Sequence, residues 1–115
     1  MKYVMMVYQD EADSKAASEA EMAESLERFN DFHGQVMQSG HLKDAWRLHH
    51  SDTSTVVHAH SGKSVVRDGP YAETKEQLGG FYLFECADLD EAIEIAARIP
   101  TSESGYIEIR PVFGG

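Results

Sequence analysis

The sequence has little cysteine, few basic residues and no long apolar run. Its one cysteine, Cys86, cannot form an internal disulfide, which favours a reducing compartment and a buried structural thiol. A membrane-spanning helix needs about 18 consecutive apolar residues, which no segment provides. The apolar run at residues 2–8 is also too short for a signal peptide. We therefore predict a soluble, cytoplasmic protein that does not insert into membranes.

Basic residues are scarce relative to acidic ones. The chain has 20 Asp and Glu but only 10 Lys and Arg, so its formal net charge is −10 at pH 7. Affinity for nucleic acid rests largely on neutralising phosphates, so neither nucleic acid nor an anionic membrane is an expected partner. The length of 115 residues and an apolar fraction of 42% suit one globular domain, residues 1–115, with a single core.

Short apolar or alternating runs predict the strands of a sheet. Ser61 and Gly62 separate two of these runs and are suited to the turn of a tight hairpin. The predicted strands are "KYVMMVY" (2–8), part of "LKDAWRLHH" (42–50), "STVVHAH" (54–60), "KSVVR" (63–67), "GGFYLFECA" (79–87) and "GYIEIRPV" (105–112).

Two segments have the spacing of amphipathic helices. A capping box at Ser18–Glu21 precedes residues 19–39, and Gly40 supplies the stop. Asp88–Glu91 forms a second box at the head of residues 89–99. The residues predicted to face the core are Met22, Leu26, Phe29, Val36 and Met37 on the first helix, and Leu89, Ala92, Ile93, Ala96 and Ala97 on the second.

The order of these elements predicts an α+β fold. Strand, helix, strands with a hairpin, strand, helix and strand match the split βαβ arrangement of ferredoxin-like folds, an antiparallel sheet with two helices on one face. Two helices cannot cover both faces of the sheet, and its other face carries Val, Tyr and Phe side chains. A second subunit is the simplest cover, so we expect a homodimer whose sheets pack face to face.

The loop "RDGPYAETKEQLGG" (67–80) is the most unusual segment. Its Asp68–Gly69–Pro70 sequence has turn chemistry: Asp bonds nearby amides, Gly permits a positive φ, and Pro fixes the next φ. One interpretation is a solvated connection in which Glu73, Lys75 and Glu76 are surface charges. The other is an ordered loop that folds over a cleft with Asp68 pointing inward.

The stretch "DGPYAETKEQLGGFYLFECADLDEAIEIAARIP", with "EIRPV" after it, resembles the DGPF subgroup of the YCII-related family. Tyr71 stands where the naming motif has Phe. The resemblance implies a dimeric α+β barrel with a cleft between the two sheets that contains an acidic group. Related barrels include small-molecule isomerases, dehalogenating lyases and cofactor-free monooxygenases. Most DGPF proteins have no assigned reaction and many are encoded beside extracytoplasmic-function sigma factors, so the fold does not assign a function.

Asp68 is the candidate catalytic residue. A rigidly held, desolvated carboxylate at the entrance of a cleft can move a proton, although a turn-forming Asp explains the same position. His49 and His50 are candidate partners, because a His can act as a base near neutral pH. The candidate ligand-binding residues are Gly69, Pro70, Tyr71, Glu73, Lys75 and Arg110.

No cofactor or metal is expected. The sequence has no GxGxxG, Walker or HExxH pattern and no Cys/His spacing of a zinc site. His58 and His60 share a strand face and, with His50, offer imidazole ligands for a divalent ion. Surface histidines on an edge hairpin are the favoured interpretation.

Two functions of different classes stay open. One is a cofactor-independent acid–base enzyme that acts on a small molecule near Asp68. The other is a non-catalytic module that binds a small ligand or a protein partner, with a link to regulation by extracytoplasmic-function sigma factors. The absence of a nucleophile elbow, a complete triad and a nucleotide motif counts against the common catalytic classes.

Overall fold

A computed structural model describes all 115 residues of the chain. Short 3₁₀ turns also occur at Ser51–Thr53 and Pro100–Glu103. The strands and helices are β1 (Lys2–Asp10), α1 (Glu11–Ala16), α2 (Glu19–Ser39), β2 (Leu42–Arg47), β3 (Thr55–His60), β4 (Lys63–Asp68), β5 (Glu76–Glu85), α3 (Leu89–Arg98) and β6 (Tyr106–Pro111).

The main sheet is antiparallel and has the strand order β2-β5-β1-β6. Its central strand β1 places Met5 opposite Tyr82 of β5 on one side and opposite Ile109 of β6 on the other. Together with α2 and α3, these strands follow the chain order β-α-β-β-α-β, which is consistent with the predicted ferredoxin-like α+β fold. The short helix α1 was not predicted.

Local capping defines α2 as predicted. The Glu21 N–H donates to Ser18 Oγ at 3.1 Å, and the Ser18 N–H donates to Glu21 Oε1 at 3.2 Å, so both halves of the capping box form. Gly40 ends the helix in the left-handed conformation with φ of 77°. On its core-facing side Phe32 and Val36 are buried. Three of the residues predicted to face the core are instead exposed, namely Met22, Leu26 and Met37.

The start of α3 has only half of the predicted box. The Glu91 N–H donates to Asp88 Oδ1 at 2.9 Å, but the Glu91 carboxylate accepts from the Ala87 N–H instead of returning to Asp88. The predicted apolar stripe was also partly wrong, because Leu89 and Ile93 are half exposed. The buried residues of this segment are Ala92, Ile95, Ala96 and Ile99, a second apolar stripe at helical spacing.

The core lies between the helices and one face of the main sheet. Alternate residues of β1 and β5 point into it, among them Met5 and Phe84, which are fully buried. Cys86 is also buried, as predicted. Burial and the nearby Glu91 carboxylate raise the pKa of its thiol, so it stays protonated at neutral pH.

The opposite face of the main sheet is covered by no element of this chain. It carries Val4 and Met6 of β1 and Phe81 and Leu83 of β5, all only partly buried. Trp46 of β2 lies beside Phe81, with the ring centroids 5.0 Å apart, and is half exposed. The predicted homodimer would bury this face and stays a prediction.

Strands β3 and β4 form a separate two-stranded sheet that projects from the domain. Ser61 and Gly62 both have positive φ, 50° and 76°, which are the backbone angles of a tight hairpin turn. Their role as the predicted turn is confirmed. None of the helices combines the length and the apolar character that a membrane span requires.

Candidate functional site

A cleft of about 530 Å³ opens where β1 ends and the loop before β5 returns to the sheet. Three segments form its walls: the junction of β1 with α1, the 3₁₀ turn after β2, and the loop at residues 70–77. Most of the lining side chains are polar or charged. They are Asp10, Glu11, Ala12, Ser51, Pro70, Glu73, Thr74, Lys75 and Gln77.

Glu11 joins two of these walls. Its carboxylate accepts a hydrogen bond from the Ser51 N–H at 2.7 Å and a second, short one from the Ser51 hydroxyl. Burial raises the pKa of the Glu11 carboxyl, but the hydrogen bonds from Ser51 and the charges of His50 and Lys15 together bring it below its ordinary value. Glu11 is therefore ionised at neutral pH and suits an accepting role better than that of an acid.

Asp10 joins the loop at residues 70–77 to the junction of β1 with α1. One carboxylate oxygen caps α1 by accepting from the Ala12 N–H at 2.9 Å, and the other lies 3.6 Å from the Lys75 ammonium. The Asp10 side chain is largely buried, whereas that of Lys75 is exposed. This ion pair holds the loop close to the start of α1.

The loop itself is ordered by its own polar contacts. The Gln77 side-chain amide donates to the carbonyls of Ala72 and Thr74 at 2.8 and 2.9 Å. The Thr74 hydroxyl donates to the Glu76 carbonyl at 2.6 Å. The Glu73 carboxylate lines the cleft but makes no hydrogen bond or ion pair within the chain, so it is free to meet a ligand.

Gly69 has a different role from the predicted one. Its φ is not positive, and the peptide bond to Pro70 is cis. A Cβ at this position would lie 2.7 Å from the Ser54 Cβ and 3.0 Å from a Val56 methyl group. The Gly69 N–H also donates to the Ser54 carbonyl at 2.8 Å. Glycine is therefore required here by the close approach of two chain segments, not by backbone conformation.

The model of the YCII-related domain matches residues 1–114. The chain belongs to the YCII-related family. A protein of Rhizobium meliloti (strain 1021), described as uncharacterised, is 34% identical over 114 residues, which cover 97% of this chain and 92% of that protein. This family membership supports the fold over the whole chain, and neither comparison names a reaction.

In this YCII-related domain Asp68 does not line the cleft. It ends β4 opposite Thr55, is exposed, and its carboxylate makes no hydrogen bond or ion pair within the chain. The inward orientation that we expected is thus not seen in the single chain. A role of Asp68 in proton transfer stays a prediction.

The two candidate histidines form no hydrogen bond or ion pair with Asp68. His49 and His50 lie together with Arg47 and Leu48 around a smaller depression of about 340 Å³, and no hydrogen bond links either histidine to Asp68. His50 is near the Glu11 carboxylate and contributes to its lowered pKa. The structure therefore relates His50 to Glu11 of the cleft and not to Asp68.

The predicted ligand-binding residues divide into two groups, and Gly69 belongs to the group that does not line the cleft. Pro70, Glu73 and Lys75 line the cleft. Tyr71 points away and is 81% exposed, with its ring 6.0 Å from the Arg67 guanidinium carbon. Arg110 pairs with Glu108 of its own strand at 3.1 Å and does not line the cleft.

The imidazoles of the hairpin do not form a recognisable metal site. The rings of His58 and His60 are stacked with centroids 6.5 Å apart. No group of three or more His, Cys, Asp or Glu residues is arranged to hold a metal ion.

Our sequence reasoning missed the wall that faces the loop. Asp10, Glu11 and Ser51 were not candidates, although the first two follow a buried strand where a polar residue can cap a helix. Only the Asp10 cap has a local signal, because Glu11 and Ser51 are 40 positions apart and no sequence spacing pairs them.

Proposed function

We propose that this YCII-related domain binds a small polar molecule in the cleft between α1 and the loop at residues 70–77. The observation that carries this proposal is the composition of the cleft. Three carboxylates, those of Asp10, Glu11 and Glu73, surround a single ammonium group, that of Lys75. With one cation against three anions, the cleft favours a ligand that carries an amine or several hydrogen-bond donors.

The free groups of the cleft define how such a ligand would be held. Asp10 and Glu11 already accept hydrogen bonds from the protein, so they shape the cleft and contribute negative potential. Glu73 has no partner within the chain and is the group best placed to pair with a ligand cation. Lys75 is exposed beyond its contact with Asp10 and can donate to a ligand oxygen.

The second candidate function is cofactor-independent acid–base chemistry on the bound molecule. It rests on the unpaired carboxylate of Asp68, which does not line the cleft of the single chain but lies two positions before Pro70, a residue of its wall. In this proposal the Asp68 carboxylate takes a proton from the substrate and returns it to a neighbouring atom. The alternative is a binding module without turnover, including one that serves a partner linked to extracytoplasmic-function sigma factors.

Three finer assignments belong to the same proposal. The stretch "DGPYAETKEQLGG" supports membership of the DGPF subgroup. The uncovered apolar face of the main sheet supports a homodimeric α+β barrel. A lone, buried cysteine supports a cytoplasmic location.

The test is a thermal-shift screen of small amines, amino alcohols and polyols. A ligand at about 100 times its Kd should stabilise the fold by about 2.7 kcal/mol, which is a readily measured rise in Tm. Glu73→Gln should abolish or strongly reduce the shift. Glu94→Gln is the matched control, because Glu94 is an exposed carboxylate of α3 without a partner.

The same compounds are then examined for turnover. Loss of turnover in Asp68→Asn with an unchanged thermal shift would support the enzyme, and a shift without any turnover would support the binding module. A thermal shift that Glu73→Gln leaves intact would contradict the assignment of the cleft.

A further inference from the structure

The hairpin formed by β3 and β4, which we call the arm (residues 55–68), exposes apolar side chains on both of its faces. Val57 and Val66 lie directly opposite each other on one face and are each 62% exposed. Val65 lies on the other face, opposite His58, and is 60% exposed. No residue of the arm is buried by the rest of the chain.

Such an arm has little stability of its own without further packing. A two-stranded hairpin without further packing is only marginally stable in water, and its two outer edges leave backbone groups open to pairing. Soluble monomers seldom display a projecting apolar element of this kind. The arm therefore needs a surface that covers it.

The total surface of the chain is too large for a compact monomer. Its solvent-accessible area is 8156 Å², whereas a compact monomer of this mass has about 6,300 Å². The radius of gyration is 16.2 Å, against about 13 Å for a compact chain of this length. The excess of roughly 1,900 Å² is of the size that each chain buries in an obligate homodimer, since such interfaces total about 2,000–5,000 Å².

Charge indicates which surface the arm fits. The arm contains the cations Lys63 and Arg67 and the anion Asp68, so it has one net positive charge. The whole chain is at −10, and the remainder is therefore more acidic than the chain itself. The arm therefore differs in the sign of its net charge from the rest of a second copy of this chain, and the attraction between the two operates in both directions of a two-fold dimer.

We propose that the arm docks on a second copy of this chain, so that each subunit reaches across to the other with residues 55–68. The inference rests on the homodimer of the proposed function and adds a contact that face-to-face packing of the sheets does not require. Val57, Val65 and Val66 are the apolar anchors of this contact. Lys63 and Arg67 provide the positive charge that is attracted by the net negative charge of the partner.

Limited trypsin digestion of the wild-type protein tests the arm without any substitution. The bond between Lys63 and Ser64 follows an exposed turn and is open to the protease when the arm is free. At micromolar protein, where the dimer is populated, cleavage at this bond should be at least about tenfold slower than after dilution into the monomer range. A cleavage rate that does not depend on the protein's own concentration would overturn the proposal. Any protection of the arm would then come from contacts within the single chain or with a different partner.

Sedimentation equilibrium of Val57→Thr with Val66→Thr tests the anchors. Thr keeps the β-branched shape, so the hairpin should persist while four apolar contacts of the dimer are lost. We expect the Kd of the dimer to rise about a hundredfold or more. Ile93→Gln is the control, because Ile93 is a half-exposed apolar residue of α3 outside the arm, and its Kd should stay within about threefold of wild type.

The failures of the two proposals can be told apart. A wild-type protein that is monomeric at every concentration would remove the homodimer and the arm contact together. A wild-type dimer whose Kd is unchanged in the double variant, with rapid cleavage after Lys63, would leave the homodimer standing and overturn the arm contact alone.

Discussion

Replacing Glu11 by Gln should loosen the cleft, because the Glu11 carboxylate helps to tie α1 to the 3₁₀ turn after β2. The other contact between these elements is the exposed ion pair of Lys15 with Asp52 at 3.4 Å. The Glu11 carboxylate accepts two hydrogen bonds from Ser51, one of them from the backbone N–H at 2.7 Å. The amide of Gln has only one oxygen to accept these donors and carries no charge.

The magnitude follows from these two bonds. Hydrogen bonds to a charged group contribute about 1.5–3 kcal/mol, but the partial exposure of Glu11 and the oxygen that remains in Gln reduce the loss. We expect the free energy of unfolding to fall by about 1–2 kcal/mol in Glu11→Gln. At roughly 4 °C per kcal/mol for a chain of this size, the Tm should fall by about 4–8 °C.

The pH dependence gives a second readout with a defined sign. The pKa of the Glu11 carboxyl is lowered in the folded state, so its stabilising effect is complete above the pKa of the unfolded chain and is lost as the pH falls through the folded-state pKa. The stability difference between wild type and Glu11→Gln should therefore be full at pH 7 and shrink at acidic pH. A difference that grows on acidification would refute the stated cause.

Urea unfolding in a double-mutant cycle with Ser51→Ala identifies the partner. If the two side chains stabilise the fold through each other, the cycle should give a coupling energy of about 1 kcal/mol. Strictly additive effects of Glu11→Gln and Ser51→Ala would refute the reasoning, even if each variant alone were destabilised.

Two further predictions concern packing. Gly105→Ala should destabilise the fold by about 1–3 kcal/mol in urea unfolding, because the new Cβ would collide with the Tyr8 carbonyl oxygen. Gly34→Ala, in α2 with no atom within 4 Å of the new Cβ, should stabilise by about 0.5–1 kcal/mol, and the reverse order would contradict both. Burial raises the pKa of Tyr82 to about 12, so an ultraviolet titration of the folded protein should show one tyrosine that ionises late. That step should be absent from Tyr82→Phe, which also lacks the hydrogen bond to His33; its persistence there would rule out the assignment.

Sequence signals predicted those features whose cause is local. The capping box of Ser18 and Glu21 and the stop at Gly40 fix the ends of α2 through contacts within a few residues. The turn at Ser61 and Gly62 is local in the same sense. The order of the elements along the chain indicated the split βαβ fold, in whose sheet, β2-β5-β1-β6, no two neighbouring strands are consecutive in the chain.

The buried face of α3 could not be predicted in the same way. Leu89 and Ile93 lie on one apolar stripe and Ile95 and Ile99 on another, so the periodicity alone allows either face to be buried. The sheet selects the second, since Ile95 and Ile99 are buried and the other two are half exposed. A helix that is apolar over a wide arc leaves its orientation to tertiary contacts.

Only one wall of the cleft could be predicted from the sequence, for a related reason. Its loop wall, with Pro70, Glu73 and Lys75, belongs to one conspicuous segment and was a candidate. The opposite wall depends on Glu11 meeting Ser51, a contact made only after β1 and the connection from β2 to β3 are brought together. Such pairs are set by topology, and a single sequence carries no spacing rule for them.

The arm also bears on the exposed position of Asp68. Asp68 is two residues from Val66 along β4, so its side chain lies on the same face of the arm as Val66 and Val57. Docking of that face on a second copy would remove Asp68 from water along with the valines, and a carboxylate desolvated in this way requires a cation or hydrogen-bond donor from the partner. The inward-facing acid expected from the sequence would then be a property of the dimer and not of the single chain. It follows that any turnover dependent on Asp68 should disappear on dilution below the Kd of the dimer, whereas ligand binding through Glu73, which lies in the cleft of one chain, should persist.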